Sequence, residues 1–505
     1  MSFAKVHSAQ ALLLSAHVID IEVDVARGLH AFSIVGLPGK AVEESRDRVS
    51  AAIKNSGFTA PKSTNKKITV SLAPADVKKE GPAFDLPIAL AYLRAVEDIH
   101  FNPSRKLFLG ELSLDGRLRP VRGVLPLAME ARRAGYAEIF VPKENAAEGA
   151  LIDDISVFGA STLTEIIDHL DESRETHALL EPAPKTCPIP ERPQSHVDFG
   201  DIRGQEQAKR GLLIAAAGRH NIVLYGPPGT GKTMLARALA GVLPPLSFPE
   251  SIEVTAIHSV AGTLSEDLIT LPPFRSPHHT ASYVSLVGGG VIPRPGEITL
   301  AHRGVLFLDE FPEFERRTID ALRQPLEERA ITVTRAQGSA TFPANFILVA
   351  AMNPQPGGEA ETISPLEQAR YERKVSGPII DRIDMWIEVG KIEHATLSAE
   401  PTKESALLEV KVERARARQQ ERFSGITHVS TNSDMGVREL DALIPIPSNI
   451  RQLLNDAAAK LSLSPRAYHR VIKLARTIAD LDDSKDIAEA HVLEALQYRP
   501  RLKAS

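Results

Sequence analysis

The run Gly226, Pro227, Pro228, Gly229, Thr230, Gly231, Lys232, Thr233 carries the most specific chemistry in the chain. Its glycines let backbone N–H groups turn inward around phosphate oxygens. Lys232 supplies a cation for the β- and γ-phosphates of ATP, and Thr233 offers a hydroxyl to Mg2+. A phosphate loop alone only binds; hydrolysis also needs a carboxylate for the metal shell and a base for the water. Gly304-Val-Leu-Phe-Leu-Asp-Glu310 ends an apolar run in two acids, Asp309 for the shell and Glu310 to polarise the attacking water. Asn353 follows a second apolar run, a place from which its amide would orient that water. Gly377-Pro-Ile-Ile-Asp-Arg-Ile-Asp384 contains Arg382, which reads either as an arginine finger for a neighbouring subunit's γ-phosphate or as the partner of Asp381 or Asp384. Ser464-Pro-Arg466 opens a helix from which Arg466 would sense the γ-phosphate across a domain crevice, with Arg470 as its rival.

These groups need a scaffold, and the pattern around them supplies one. Asn221–Tyr225, Val305–Leu308 and Phe346–Ala351 are short apolar runs, as expected of parallel strands covered on both faces. A helix carrying Leu235, Leu239 and Val242 follows the phosphate loop directly, the context the motif requires. Beyond residue 396 the pattern turns to long helical stretches, Ser405–Gln420 and Tyr468–Asp480 among them, which reads as a helical lid over 396–505. The α/β core occupies 197–395. Ahead of it, five prolines between Glu181 and Pro193 mark 176–196 as an extended linker. Residues 1–175 read as an α+β domain: Ile19, Ile21, Val23 and Val25 alternate as in a half-exposed strand, and Val42, Arg46, Val49 and Ile53 recur at helical spacing up to Gly57. Further strands are expected at Lys67–Leu72 and Phe108–Leu109. The fold class is therefore multidomain α/β.

A net charge of −5 gives no general pull toward nucleic acid, so any DNA contact must be local. The one cysteine, Cys187, cannot close an internal disulfide, which suits a reducing compartment. No run of apolar residues is long enough for a signal core or a membrane span, so a cytoplasmic protein without membrane contact is expected.

The order of phosphate loop, acidic strand, Asn, Asp-Arg-Ile-Asp and Ser-x-Arg resembles the magnesium-chelatase clade of AAA+ ATPases. Pro273-Phe-Arg-Ser-Pro-His-His-Thr280, Pro293-Arg-Pro-Gly-Glu297, Ala350-Ala-Met-Asn-Pro354 and Ala467-Tyr-His-Arg470 bring it closer to the ComM/YifB family. Leu72-Ala-Pro-Ala-Asp76 and Glu80-Gly-Pro-Ala-Phe-Asp85 resemble a Lon-type peptidase fold, but Ala83 stands where the serine nucleophile belongs and Leu125 replaces the lysine base. Neither can take part in acyl transfer, so a scaffold or DNA-handling role is expected of that domain. The resemblance implies a homo-hexameric ring that translocates on single-stranded or branched DNA. In that family the motor is a branch-migration helicase of natural transformation, with recombination proteins as possible partners. It also implies pore insertions, whose candidate DNA contacts are Arg294, Arg329 and Arg335. One departure is evident: relatives carry cysteines after the Asn-Pro pair, whereas this chain has Gln355, Pro356, Gly357 and Gly358, which excludes a zinc cluster there. Two other readings compete: a chelatase motor subunit, and a regulator that uses ATP only to change its assembly.

Overall fold

The computed structural model describes residues 3–12, 15–185, 197–289, 294–335, 338–354, 374–391, 403–426 and 429–499. Cys187, most of the proline-rich stretch and Gln355 to Gly358 lie outside the described residues. The chain divides into two compact units, Met1–Ile189 with Ser251–Ile269, and Pro190–Glu250 with Thr270–Ser505. Among the described residues, no helix is long and apolar enough to cross a membrane.

The first unit is built on a seven-stranded mixed sheet. Phe3–Leu12 and Ser15–Arg27 form an antiparallel hairpin, with Ser15–Arg27 also paired to Lys66–Ala73. The alternation expected around Ile21 is realised: Ile19, Ile21 and Val23 are fully buried on one face. Helix Asp85–Ala95 fills the core, buried everywhere except Arg94. Its Asp85 carboxylate enters the interior because Arg48 Nε donates to it at 2.7 Å; without such a partner a buried carboxylate would be prohibitively costly. Helix Ser45–Asn55 ends in the left-handed Gly57, φ 89°, as its sequence requires.

Segment 251–269 lies within the span read as ATPase core, yet it packs with this first unit. Its Ala256 and Leu268 join an apolar cluster with Val124, Leu125 and Leu127, against which Ala83 and Ile252 also pack. Ser259 Oγ donates to the buried Glu148 carboxylate and accepts from Gly123 N–H at 2.9 Å. Glu148 Oε1 also accepts Leu125 N–H at 2.8 Å. Burial nevertheless prevails over these bonds and raises the Glu148 pKa. The two positions of the would-be serine–lysine pair, Ala83 and Leu125, thus belong to one apolar cluster.

The second unit is a five-stranded sheet in the order Phe274–Arg275, Val305–Leu308, Ile347–Met352, Ile222–Tyr225, Met385–Glu388, every neighbouring pair parallel. The three central strands are fully or almost fully buried, as their unbroken apolar runs require. Helices Ser405–Arg422 and Pro465–Leu481 lie in the expected helical region, and Val412, Val471, Ala475 and Ile478 share one core cluster with sheet residues Leu224, Phe307 and Val349. The multidomain α/β reading, with a parallel sheet and a helical C-terminal region, is borne out.

Candidate active site

Parallel register brings the chemistry together. Tyr225 pairs with Met352 and Leu308 with Ala350, so the residues that follow each strand emerge along one sheet edge. The turn after Tyr225 depends on glycine. A Cβ at Gly226 would lie 2.0 Å from Val389 O, whereas Gly229 and Gly231 take φ of 77° and 88°. Helix Lys232–Gly241 starts immediately after Gly231, so its first free N–H groups face the loop.

At that edge Lys232 Nζ donates to Gly226 O at 2.8 Å, Pro227 O at 2.7 Å and Asn353 Oδ1 at 3.0 Å. Burial lowers the lysine pKa, and the Asp309 charge partly offsets it. Thr230 Oγ1 donates to Pro227 O at 2.9 Å, which closes the turn from within. Thr233 Oγ1 donates to Asp309 Oδ2 at 2.9 Å. Hydroxyl and carboxylate oxygens side by side are the hard donors that Mg2+ selects, so the residues present fit that ion beside a triphosphate. Glu310 adopts a left-handed φ of 50°, and its N–H donates to Asp309 Oδ1 at 2.9 Å. Lys232, Thr233, Asp309, Glu310 and Asn353 therefore form one group, although nearly all the spacing between them in the chain is large.

Arg382 and Arg466 form a second group. Arg382 pairs with Glu327 through Nη2 and donates from Nη1 to Pro378 O at 2.7 Å. The expected local alternatives, Asp381 and Asp384, are not its partners among the described residues; Asp384 instead accepts Asn221 N–H at 2.9 Å and faces Arg470 at 3.5 Å. Arg466 Nη2 pairs with the same Glu327. The hydrogen bond from Arg382 is the main reason the Glu327 pKa is lowered. Both arginines line a cavity of about 810 Å3 shared with Arg303, Arg329 and Lys473, and no member of the phosphate-loop group lines it. Arg466 was expected at the phosphate crevice and is found beside Arg382, because its helix Pro465–Leu481 packs so that its first turn meets Glu327. Arg470 is occupied by the backbone carbonyls of Ile383 and Asp381.

The three candidate DNA contacts differ. Arg294 is exposed in a short ribbon in which Arg294–Pro295 pairs antiparallel with Gly288–Gly289. Arg335 ends strand Ala330–Arg335 of a second hairpin, and its side chain lies outside the described residues. Arg329 is partly buried, 3.3 Å from Asp434 Oδ1 and donating to Phe346 O at 3.4 Å.

Two features escaped sequence reasoning. His279 Nδ1 lies 2.8 Å from Glu310 Oε2, although its motif carries no ligand spacing that would announce a role. A cavity of about 480 Å3 opens beside the phosphate loop, lined by Gln205, Tyr225, Trp386, Gly390, Gln497 and Tyr498. These residues come from four separate stretches, so only the fold assembles them.

A family model described as magnesium chelatase, subunit ChlI, matches residues 198–397; a second, subunit ChlI of Mg-chelatase, matches 21–145; a ChlI C-terminal model matches 402–499. The chain is 42% identical to competence protein ComM of Haemophilus influenzae, covering 100% of this chain and 98% of that one. It is 44% identical to YifB of Salmonella typhimurium over 99% of this chain and 97% of that one. The magnesium-chelatase 38 kDa subunit of Rhodobacter capsulatus is 32% identical, over 32% of this chain and 51% of its own.

Proposed function

The chain belongs to the ComM/YifB family of magnesium-chelatase-type AAA+ ATPases, and on that premise we propose that it is a homo-hexameric, DNA-dependent motor that migrates branched DNA during recombination. The observation that carries the reading is the meeting of Lys232, Thr233, Asp309 and Asn353 at one sheet edge, with Glu310 next in the chain. Lys232 and the loop amides would hold the β- and γ-phosphates of ATP, and Thr233 and Asp309 would hold Mg2+, which would supply neutralisation of charge on the phosphoryl oxygens. Glu310 takes the proton of the attacking water, and Asn353 fixes the lysine and the water between them. The cavity lined by Tyr225 and Tyr498 takes the base, since it begins one residue before the phosphate loop.

Arg382 and Arg466 act together on the neighbouring subunit's γ-phosphate. Their common partner Glu327, and a shared cavity without any phosphate-loop residue, support a trans role for both. A site completed by another copy makes the ring obligatory for turnover. Arg294 and Arg335 are the proposed contacts to DNA phosphates. The name of the competence relative supports a role with DNA taken up from outside; work in the cytoplasm, with recombination proteins as partners, is part of the same proposal. The N-terminal unit is inactive as a protease, a reading supported by the apolar surroundings of Ala83 and Leu125.

The test is ATPase activity with single-stranded, duplex and four-way-junction DNA, using Glu310→Gln as the blank. Stimulation by junctions or single strands, and strand exchange driven by ATP, are expected. A rate indifferent to every DNA would favour the alternative, a chelatase-like motor subunit, to which the shorter likeness to the Rhodobacter protein points.

A further inference from the structure

Glu310 must hold its carboxylate in place to serve as a base, and its own position does little to ensure that. It stands in a left-handed turn after the strand, about half exposed, on a side chain with three rotatable bonds. His279 meets it: Nδ1 lies 2.8 Å from Oε2, close enough for an Nδ1–H to hold that oxygen. The imidazole is itself held. It packs on the ring of His278 with centroids 4.2 Å apart. Its turn is closed by Ala281 N–H donating to His278 O at 2.8 Å and by His278 Nδ1 against Thr280 Oγ1 at 2.8 Å. One end of the stretch carrying the turn is anchored by Arg275, whose Nε and Nη2 grip the Glu297 carboxylate at 2.7 and 2.8 Å.

We propose that His279 is the positioning residue for Glu310: a rigid imidazole that binds one carboxylate oxygen and leaves the other aimed at the water. The adjacent histidines thereby act in series, with His278 bracing His279 and His279 bracing the base. A side chain fixed this way enters the transition state with little orientational freedom left to lose. The proposal rests on the assignment of Glu310 as the base.

The experiment is steady-state ATPase kinetics on the full chain with His279→Ala, His279→Asn, Glu310→Gln and the double variant His279→Ala/Glu310→Gln. His279→Ala is expected to lower kcat on the order of 10- to 100-fold, with KM for ATP and the affinity for a non-hydrolysable analogue unchanged. His279→Asn, whose amide nitrogen stands in for Nδ1, restores most of the rate. Removing His279 from Glu310→Gln costs nothing further, since a residue acting through the base has no effect once the base is gone. An unchanged or raised kcat in His279→Ala, while Glu310→Gln is inert, overturns the His279 role and leaves Glu310 standing. Loss of analogue binding together with kcat in both His279 variants overturns it in favour of a purely structural part. Turnover by Glu310→Gln at the parent rate overturns both assignments.

Discussion

Glu327 faces two guanidinium groups with one negative charge, so the pair retains a net positive charge that an anion can satisfy. If both arginines serve the next subunit, their loss must be indistinguishable by genetics of mixing. Arg382→Ala and Arg466→Ala should each cut turnover by on the order of 10^3-fold while nucleotide binding persists. Rings mixed from Arg382→Ala and Glu310→Gln subunits should regain activity, because one contributes an intact base and the other an intact finger. Rings mixed from Arg382→Ala and Arg466→Ala should stay inert. Recovery in that second mixture, read by ATP turnover, would put Arg466 on its own subunit's nucleotide. The phosphate loop and the two acids were legible from sequence because each motif is contiguous and its neighbours are apolar runs. The address of Arg466 was not, since it depends on how a lid helix packs against a residue 139 positions away.

At the scale of strands and helices, close backbone approach sets the tolerances. A Cβ at Gly304 would lie 1.9 Å from Pro273 O, in the backbone that precedes the edge strand Phe274–Arg275. Gly304→Ala should therefore destabilise the second unit by about 1–3 kcal/mol or more, read as a lower urea midpoint, and weaken ATP binding through Asp309. The lid helix offers a milder case. Ser464 caps Pro465–Leu481 by accepting Ala467 N–H at 3.2 Å, so Ser464→Ala should cost about 1 kcal/mol and also loosen Arg466. Periodicity made most of these elements readable: Ser405–Gln420 is realised as Ser405–Arg422, and the strand expected at Lys67–Leu72 runs Lys66–Ala73. What periodicity could not convey was destination. Helix Phe248–Ala261 has an ordinary apolar composition, and nothing in it announces that most of its length packs with Leu125 and Glu148.

For the whole molecule, acid stability has an identifiable contributor. Burial alone would raise the Asp384 pKa, but His220, Arg470 and the Asn221 N–H overcome it and hold it at about 2, against an ordinary 3.8. A depressed carboxylate contributes stability above its unfolded pKa and loses it as pH falls through the folded one. The parent should thus shed about 2 kcal/mol from this group between roughly pH 5 and pH 2. Asp384→Asn should flatten that part of the thermal midpoint profile and be less stable at neutral pH; an unaltered acid profile would refute the assignment. The return of 251–269 to the N-terminal unit also decides how the protein comes apart. A gene trimmed to begin at about residue 197 would leave Ala256 and Leu268 bare of their cover and Ser259 without Glu148, yielding a sticky fragment in place of a free motor. A protease nick in the proline-rich stretch, by contrast, should give two bands on a denaturing gel that travel as one species on a sizing column, because the larger piece still has its splint seated in the smaller.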